Sequence, residues 1–126
     1  MPTLIAVAAG GAIGAALRYL FAAQIGRLLG AGFPWGILAT NILGSFVMGV
    51  LVEGFALKWN LSPETRAFLT VGVLGGFTTF SAFSLETVLM IDRGDYATAL
   101  FYILASVILA VGAVFAGLQV SRMVTV

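Results

Sequence analysis

Four long apolar stretches divide the chain, at about residues 3–25, 34–57, 63–91 and 96–120. A helix needs about 20 apolar residues to cross roughly 30 Å of hydrocarbon, and each stretch is long enough. Short segments rich in glycine, proline or charged residues separate them. The pattern therefore predicts an all-α integral membrane protein with four transmembrane helices, forming a single domain over residues 1–126.

The third stretch departs from this pattern near its middle. Two adjacent glycines, Gly75 and Gly76, precede a mixture of phenylalanines and hydroxyl residues at 77–84. Each glycine costs a helix about 1 kcal/mol relative to alanine, and hydroxyls offer the backbone competing partners. Because non-helical backbone survives at membrane depth only inside protein or along a cavity, the pattern predicts a helix break that is also the functional site. A continuous, tightly packed helix is the alternative.

Aromatic and acidic side chains follow the glycine pair at helical spacing. Phe77, Phe80 and Phe83 are three residues apart, which in a helix places them on one side, as a packing stripe or as part of the site. Glu86 lies three residues further on. Because a carboxylate that faces lipid is costly, we expect Glu86 to face protein or an aqueous entrance.

Single polar residues interrupt the other spans. Asn41 needs hydrogen-bond partners in hydrocarbon, and both an interhelical bond and a donor role in a pore are open. Arg18 lies several turns into the first span, where it snorkels to the interface, pairs with an acidic group or attracts an anion near a pore mouth. Tyr102 and Ser106 are four residues apart and share a helical face, either as a polar track or as a mutual hydrogen bond.

Composition supports a membrane protein and leaves little for catalysis. Hydrophobic residues make up 61% of the chain and charged residues 9%, against about 25% charged in soluble domains. The chain has no cysteine and no histidine, so it lacks thiol chemistry, the commonest metal ligand and the usual neutral-pH general base. We expect a multi-pass protein of the cell (inner) membrane that is not an enzyme and has no nucleic-acid partner.

The basic residues near the span ends are evenly distributed. With four spans, one side of the membrane carries Lys58, Arg66 and Arg122, and the other carries Arg27 and Arg93, with Arg18 leaning towards it. This count gives no firm orientation by the positive-inside rule. Either the orientation is set weakly or the chain inserts both ways. A chain that inserts both ways can form an antiparallel homodimer, which resembles the inverted repeats of larger transporters.

These residues together resemble the Fluc (CrcB) family of microbial fluoride channels over essentially the whole chain. The most specific match is the motif Gly-Gly-Phe-Thr-Thr-Phe-Ser-x-Phe-Ser-x-Glu, here residues 75–86, and Asn41 after Pro-Trp-Gly matches the second helix. The resemblance implies a dual-topology antiparallel homodimer with two pores. It also implies a structural sodium ion at the dimer centre, held by backbone carbonyls at the break.

The resemblance also implies roles for individual residues. The positions that match the fluoride pathway are Asn41, Phe80, Phe83, Tyr102 and Ser106. The positions whose carbonyls match the sodium site are Gly75 and Thr78. The remaining polar positions, at an entrance or with a structural role, are Arg18, Thr79, Ser81, Ser84 and Glu86. Ala110 stands where some family members carry another hydroxyl, so we expect a shorter polar track or one completed otherwise.

Such a pore suits the chemistry of fluoride. Amide and hydroxyl donors and the positive edges of aromatic rings replace water around the ion without a countercharge that would trap it. Two alternatives remain open: a small dual-topology multidrug exporter and a non-transporting structural subunit. The exporter would need an acid in the first span, which carries Arg18 and no acid. The structural subunit leaves the coincidence of Asn41, the hydroxyls and Glu86 unexplained.

Overall fold

The computed structural model describes residues 2–125, and this part of the chain is all-helical. The first two spans are single helices, α1 (Pro2–Leu29) and α2 (Trp35–Leu57). The third span covers Pro63–Asp92 and the fourth Tyr96–Val124. All four are long and apolar enough to cross a membrane, so the predicted number of transmembrane helices is confirmed.

The third span is divided into segments of different geometry. It begins with α3 (Pro63–Ala67), continues as a π-helix over Phe68–Leu74, and closes its first half with α4 (Gly75–Phe77). After an interruption, α5 (Phe80–Asp92) forms the second half, and α6 (Tyr96–Thr125) is the fourth span. π-Helices are rare and often occur at functional sites, so the π-helix at Phe68–Leu74 is consistent with a functional site nearby.

The interruption consists of Thr78 and Thr79, whose backbones are extended (φ −90°, ψ 158° and φ −150°, ψ 121°). The predicted break near the middle of the third helix is therefore confirmed, and the continuous helix is not what forms. The break lies after the glycine pair, because Gly75 and Gly76 are still helical. Glycine flexibility therefore does not by itself set its place.

The glycines of the third span serve close packing against α1. A Cβ added to Gly76 would lie 2.7 Å from the carbonyl oxygen of Gly11, and one added to Gly72 would lie 2.9 Å from Cα of Gly10. An added Cβ on Gly14 would overlap the backbone of Val73. Small residues let membrane helices approach this closely, and here they fix the first half of the third span against α1.

A second close contact joins α2 to α6. An added Cβ on Gly117 would overlap the backbone of α2, and one on Gly49 would overlap that of α6. Near one end of this helix pair, the buried residues Leu38, Met90, Ala99 and Tyr102 form a compact hydrophobic cluster. Near the other end, Arg122 of α6 and Glu53 of α2 form an ion pair. The pair α2 and α6 thus provides a rigid wall beside the break.

Candidate functional site

Asn41 holds the extended backbone of the break. Its Nδ2 donates to the carbonyl oxygen of Thr79 over 3.1 Å, and the amide of Thr79 donates to its Oδ1 over 2.8 Å. An asparagine amide has two N–H groups, so one remains for another acceptor. Asn41 therefore forms the interhelical hydrogen bonds that were one of its two predicted roles. Its remaining N–H is compatible with the other role, a donor in a pore.

The threonines of the break satisfy the neighbouring helix ends with their side chains. The hydroxyl of Thr79 accepts a hydrogen bond from the amide of Ala82 over 3.1 Å and so caps the start of α5. The hydroxyl of Thr78 donates to the carbonyl of Leu74 over 2.9 Å. Side chains thus replace backbone bonds that the break removes, which keeps it stable at membrane depth.

Arg18 contacts the break from the side of α1. Its Nε donates to the carbonyl oxygen of Gly76 over 3.0 Å. The last carbonyls of a helix carry partial negative charge, so a cation there is stabilising. The partner of Arg18 is therefore a backbone carbonyl, and not the acidic group that the sequence left open as one alternative. Arg18 also lines a cavity of about 370 Å³ together with Thr40 and Thr79.

The phenylalanines do not all lie on one side of a helix. Phe80 and Phe83 are neighbours, with ring centroids 5.5 Å apart, and Phe83 lies 5.2 Å from the ring of Tyr102. Phe77 instead packs against Phe21 of α1, with 5.8 Å between centroids. The predicted three-residue stripe is therefore wrong for Phe77, because two extended residues separate it from the helix that carries the other two.

Phe80 and Phe83 also differ in exposure. Phe80 is 78% exposed on the single chain, whereas Phe83 is half-buried and packs against the hydrophobic cluster around Tyr102. On the far side of Tyr102, Phe33 from the loop between α1 and α2 contributes a perpendicular ring at 5.4 Å. Phe33 was not singled out from the sequence, because nothing in its local pattern shows that this loop folds back over α6.

Tyr102 and Ser106 are buried, with exposed fractions of 0% and 8%. Within residues 2–125, neither hydroxyl has a hydrogen-bond partner, so the mutual bond that the sequence left open does not form. A buried polar group without a partner costs roughly 1–3 kcal/mol. Such groups call for a functional explanation, and a passing ion that accepts hydrogen bonds is one.

The other polar residues of the third span are less available. The hydroxyl of Ser84 donates to the carbonyl of Phe80 over 2.9 Å, and the hydroxyl of Ser81 lies 3.4 Å from that of Thr79. Glu86 is half-buried and lines a cavity of about 560 Å³ next to the loop at 30–36. It therefore faces protein and a polar opening, as expected.

One cavity brings several of these residues together. It has a volume of about 340 Å³, and its polar and aromatic lining includes Asn41, Thr79, Phe80, Phe83 and Ser106. Ala110 lies in the same lining, whereas Tyr102, Arg18 and Glu86 do not. Ser45 is also present and was missed by the sequence analysis, although its position four residues after Asn41 was a usable signal.

The carbonyls of Gly75 and Thr78 have lost their usual helical donors. In an uninterrupted helix they would accept from the amides of Thr79 and Ala82. Those amides donate instead to Asn41 and to the Thr79 hydroxyl. Gly75 is exposed on the single chain and Thr78 is half-buried. Oxygen atoms of this kind are what a hard cation requires, so these two residues fit such an ion.

Comparison with known proteins matches this chain to one family. The model of the CrcB-like proteins, described as camphor resistance (CrcB), matches residues 5–118. The chain belongs to the CrcB-like family. The CrcB-like match covers all four spans apart from the ends of the first and the last, so the predicted family membership is confirmed.

Several curated CrcB-like relatives are similar over nearly their whole length. The chain is 51% identical over 119 residues to the "Fluoride-specific ion channel FluC 1" of Nitrobacter hamburgensis, covering 94% of each chain. It is 53% identical over 122 residues to the protein named "Fluoride-specific ion channel FluC" in Agrobacterium fabrum, covering 97% of this chain and 98% of that one. For the protein of the same name in Phenylobacterium zucineum the identity is 54% over 125 residues, with 98% of each covered.

These names bear on two further predictions. Ion channels are not enzymes, so the family supports the prediction that this CrcB-like protein is not one. The four apolar spans and the channel family together identify a multi-pass membrane protein. The roles of individual residues, the sodium ion and the dimer stay predictions.

Proposed function

We propose that this CrcB-like protein is a fluoride-selective channel that exports fluoride across the membrane. One observation carries the proposal: the buried hydroxyl of Ser106, which has no partner within residues 2–125, and two phenylalanine rings line one cavity beside an asparagine-held helix break, in a chain whose relatives are named fluoride-specific ion channels. Donors that the protein itself leaves unsatisfied are available to a small anion that must give up its water.

In this proposal the ion contacts the donor groups and the two rings one after another. In the cavity, the free N–H of Asn41 and the hydroxyl of Ser106 replace water around the ion. The rings of Phe80 and Phe83 then offer their positive edges, since an aromatic ring carries a negative face and a positive rim. Beyond Phe83, the hydroxyl of Tyr102 is the next donor, because the two rings are 5.2 Å apart.

Release is as important as capture in a channel. No Lys, Arg, Asp or Glu is among the residues that line the cavity at the break. A pore lined by neutral donors binds an anion strongly enough to admit it and weakly enough to let it leave. Fluoride gains more from such donors than chloride does, because it is smaller and accepts stronger hydrogen bonds.

We further propose an antiparallel homodimer with two such pores. Phe80, which borders the cavity, is 78% exposed on the single chain, so the site opens onto the protein surface. A second copy of the chain would close it. The balanced distribution of basic residues is compatible with insertion in both orientations, as an antiparallel pair requires.

A structural sodium ion fits the carbonyls of Gly75 and Thr78. The amides that would bond to these carbonyls in a continuous helix donate instead to Asn41 and to the Thr79 hydroxyl, which leaves both oxygens for a cation. Two breaks related by the dimer axis would supply four oxygens, and hard cations accept oxygen ligands. When bound, the ion would add positive charge near the anion pathway. The chain's own residues hold the break open for it through Asn41 and Arg18.

Fluoride efflux from liposomes that contain the purified protein tests this function. With potassium gradients and valinomycin, we expect fluoride to leave and chloride to stay. A second arm replaces sodium by N-methylglucamine on both sides, and we expect a slower fluoride efflux if sodium is structural. Folded, dimeric protein without any fluoride efflux would overturn the channel assignment and favour a structural subunit. Equal fluoride efflux in both buffers would overturn only the proposed sodium site and leave the channel assignment standing.

A further inference from the structure

Two groups can be distinguished among the serine and threonine hydroxyls of the spans: one bonds to its own helix, and the other lines the cavity at the break. The members of the first group donate to the carbonyl four residues earlier, over 2.6 to 2.9 Å: Thr40, Thr70, Thr78, Ser84 and Thr87. This is the usual way for a helical serine or threonine in hydrocarbon to satisfy its own hydroxyl. These residues need nothing from a ligand.

Ser45 and Ser106 form the second group. Both lie well inside long helices, and neither takes part in any hydrogen bond within residues 2–125. Both line the cavity at the break. Ser106 is more than nine-tenths buried, and Ser45 is half-buried. Two hydroxyls that forgo the local bond, on two different helices and around one cavity, point to an acceptor between them.

Ser45 lies on the same face of α2 as Asn41. The two residues are four apart and share a helical face, so the hydroxyl follows the amide along the cavity. Gly44 lets this face approach the break, because an added Cβ would overlap the side chain of Thr78 and lie 3.2 Å from the ring of Phe77. Across the cavity, one turn after Ser106, Ala110 offers only a methyl group. Ser45 therefore supplies a hydroxyl to a part of the cavity that α6 leaves apolar.

We propose that Ser45 contacts the permeating anion and forms a dehydration site with Asn41 and Ser106. The inference rests on the proposed function and names a residue that sets its selectivity. The first turn of α5 borders the same cavity through Phe80, and the start of a helix adds partial positive charge. Three neutral donors favour fluoride over chloride because the smaller ion gains more from each hydrogen bond.

The test compares single-hydroxyl deletions in the full-length protein reconstituted in liposomes. For Ser45→Ala, we expect fluoride efflux to fall by roughly tenfold and half-saturation to require more fluoride, since a hydrogen bond to an ion is lost. Thr70→Val is the matched control, because it deletes a hydroxyl that is bonded to the carbonyl of Arg66 and lies outside the cavity. Ser45→Thr keeps the hydroxyl and should restore most of the efflux.

The outcomes separate this inference from the function on which it rests. Reduced efflux in Ser45→Ala alone, with an unchanged dimer and melting temperature and rescue by Ser45→Thr, supports an anion contact. Wild-type efflux in Ser45→Ala overturns the inference and leaves the channel standing. The inference is also overturned if Ser45→Ala and Thr70→Val lose fluoride efflux equally. The same holds if Ser45→Ala and Ser45→Thr lose it equally. Absence of fluoride efflux in the unsubstituted protein overturns both.

Discussion

Asn41 combines two tasks in one side chain. Two hydrogen bonds of Asn41 hold the extended backbone of Thr79, and its second N–H is left for the proposed anion. A side chain that is already fixed by the protein loses little freedom when it binds, so the donor is held ready. Arg18 acts on the same break through the carbonyl of Gly76, at the negative end of the first half-helix. At the scale of residues, an amide and a guanidinium hold the break, and neutral donors line the cavity beside it.

The two site phenylalanines should respond differently to the same substitution. We expect Phe80→Ile to abolish fluoride efflux with little change in the stability of the protomer, because the ring is 78% exposed. Phe83→Ile should also abolish efflux but lower stability by roughly 1–3 kcal/mol, because the ring packs against Tyr102 and the buried cluster. Efflux assays and thermal melts in detergent measure the two effects. Normal fluoride efflux in both variants would indicate that the two rings serve only in packing.

At the scale of elements, the divided third span is the distinctive feature of the fold. Its first half is held by α1 through glycine contacts, and its second half packs beside α6. The break thus lies between two halves that different neighbours position. Because the end of one half-helix and the start of the next meet there, carbonyl oxygens suited to a cation and a helix start suited to an anion lie within a few residues.

Glycine-to-alanine substitutions test this division of contacts. Gly76→Ala should lower the melting temperature and disturb the break, because the new Cβ would lie 2.7 Å from the carbonyl oxygen of Gly11. We expect a loss of roughly 1–3 kcal/mol. Gly112→Ala is the control, because nothing lies within 4 Å of its added Cβ and alanine favours a helix. Similar melting curves for the two variants would contradict a packing role for Gly76.

At the scale of the whole molecule, the site of a single chain is open at the protein surface, and the proposed second copy would complete it. The cavity at the break is bordered by the exposed ring of Phe80, and four helices form a thin wall around any pathway. An antiparallel partner would close the cavity and bring two breaks together. The same even charge distribution that leaves orientation undetermined would permit such a pair.

The absence of cysteine from the sequence makes topology directly measurable. A cysteine appended to either terminus reports its side of the membrane through labelling with an impermeant maleimide. If both orientations occur, about half of the protein should be labelled in intact cells and the rest only after permeabilisation, for each terminus alike. Labelling confined to one side would exclude the antiparallel dimer and leave the four-helix fold unaffected.

The sequence by itself determined the number of spans, the membrane setting and the family. These depend on local properties, because a bilayer requires a fixed length of apolar residues and the motif at 75–86 is continuous in the chain. It also indicated the interruption of the third helix, since glycines and hydroxyls weaken a helix locally. The predicted stretch, residues 75–84, contains the observed break at Thr78 and Thr79, whereas its two glycines remain helical and pack against α1.

Only the tertiary structure decided where the chain breaks and which polar residues remain free. Asn41 and Arg18 bind backbone atoms 38 and 58 residues away, and no local pattern specifies such partners. The long-range contacts of the fold also separate Phe77 from Phe80 and Phe83 and place Ser45 and Ser106 in the lining of one cavity. Hydrogen-bond satisfaction is a property of the folded chain, because each donor's partner depends on which helices are adjacent. The availability of donors to an anion could therefore be identified only in the structure.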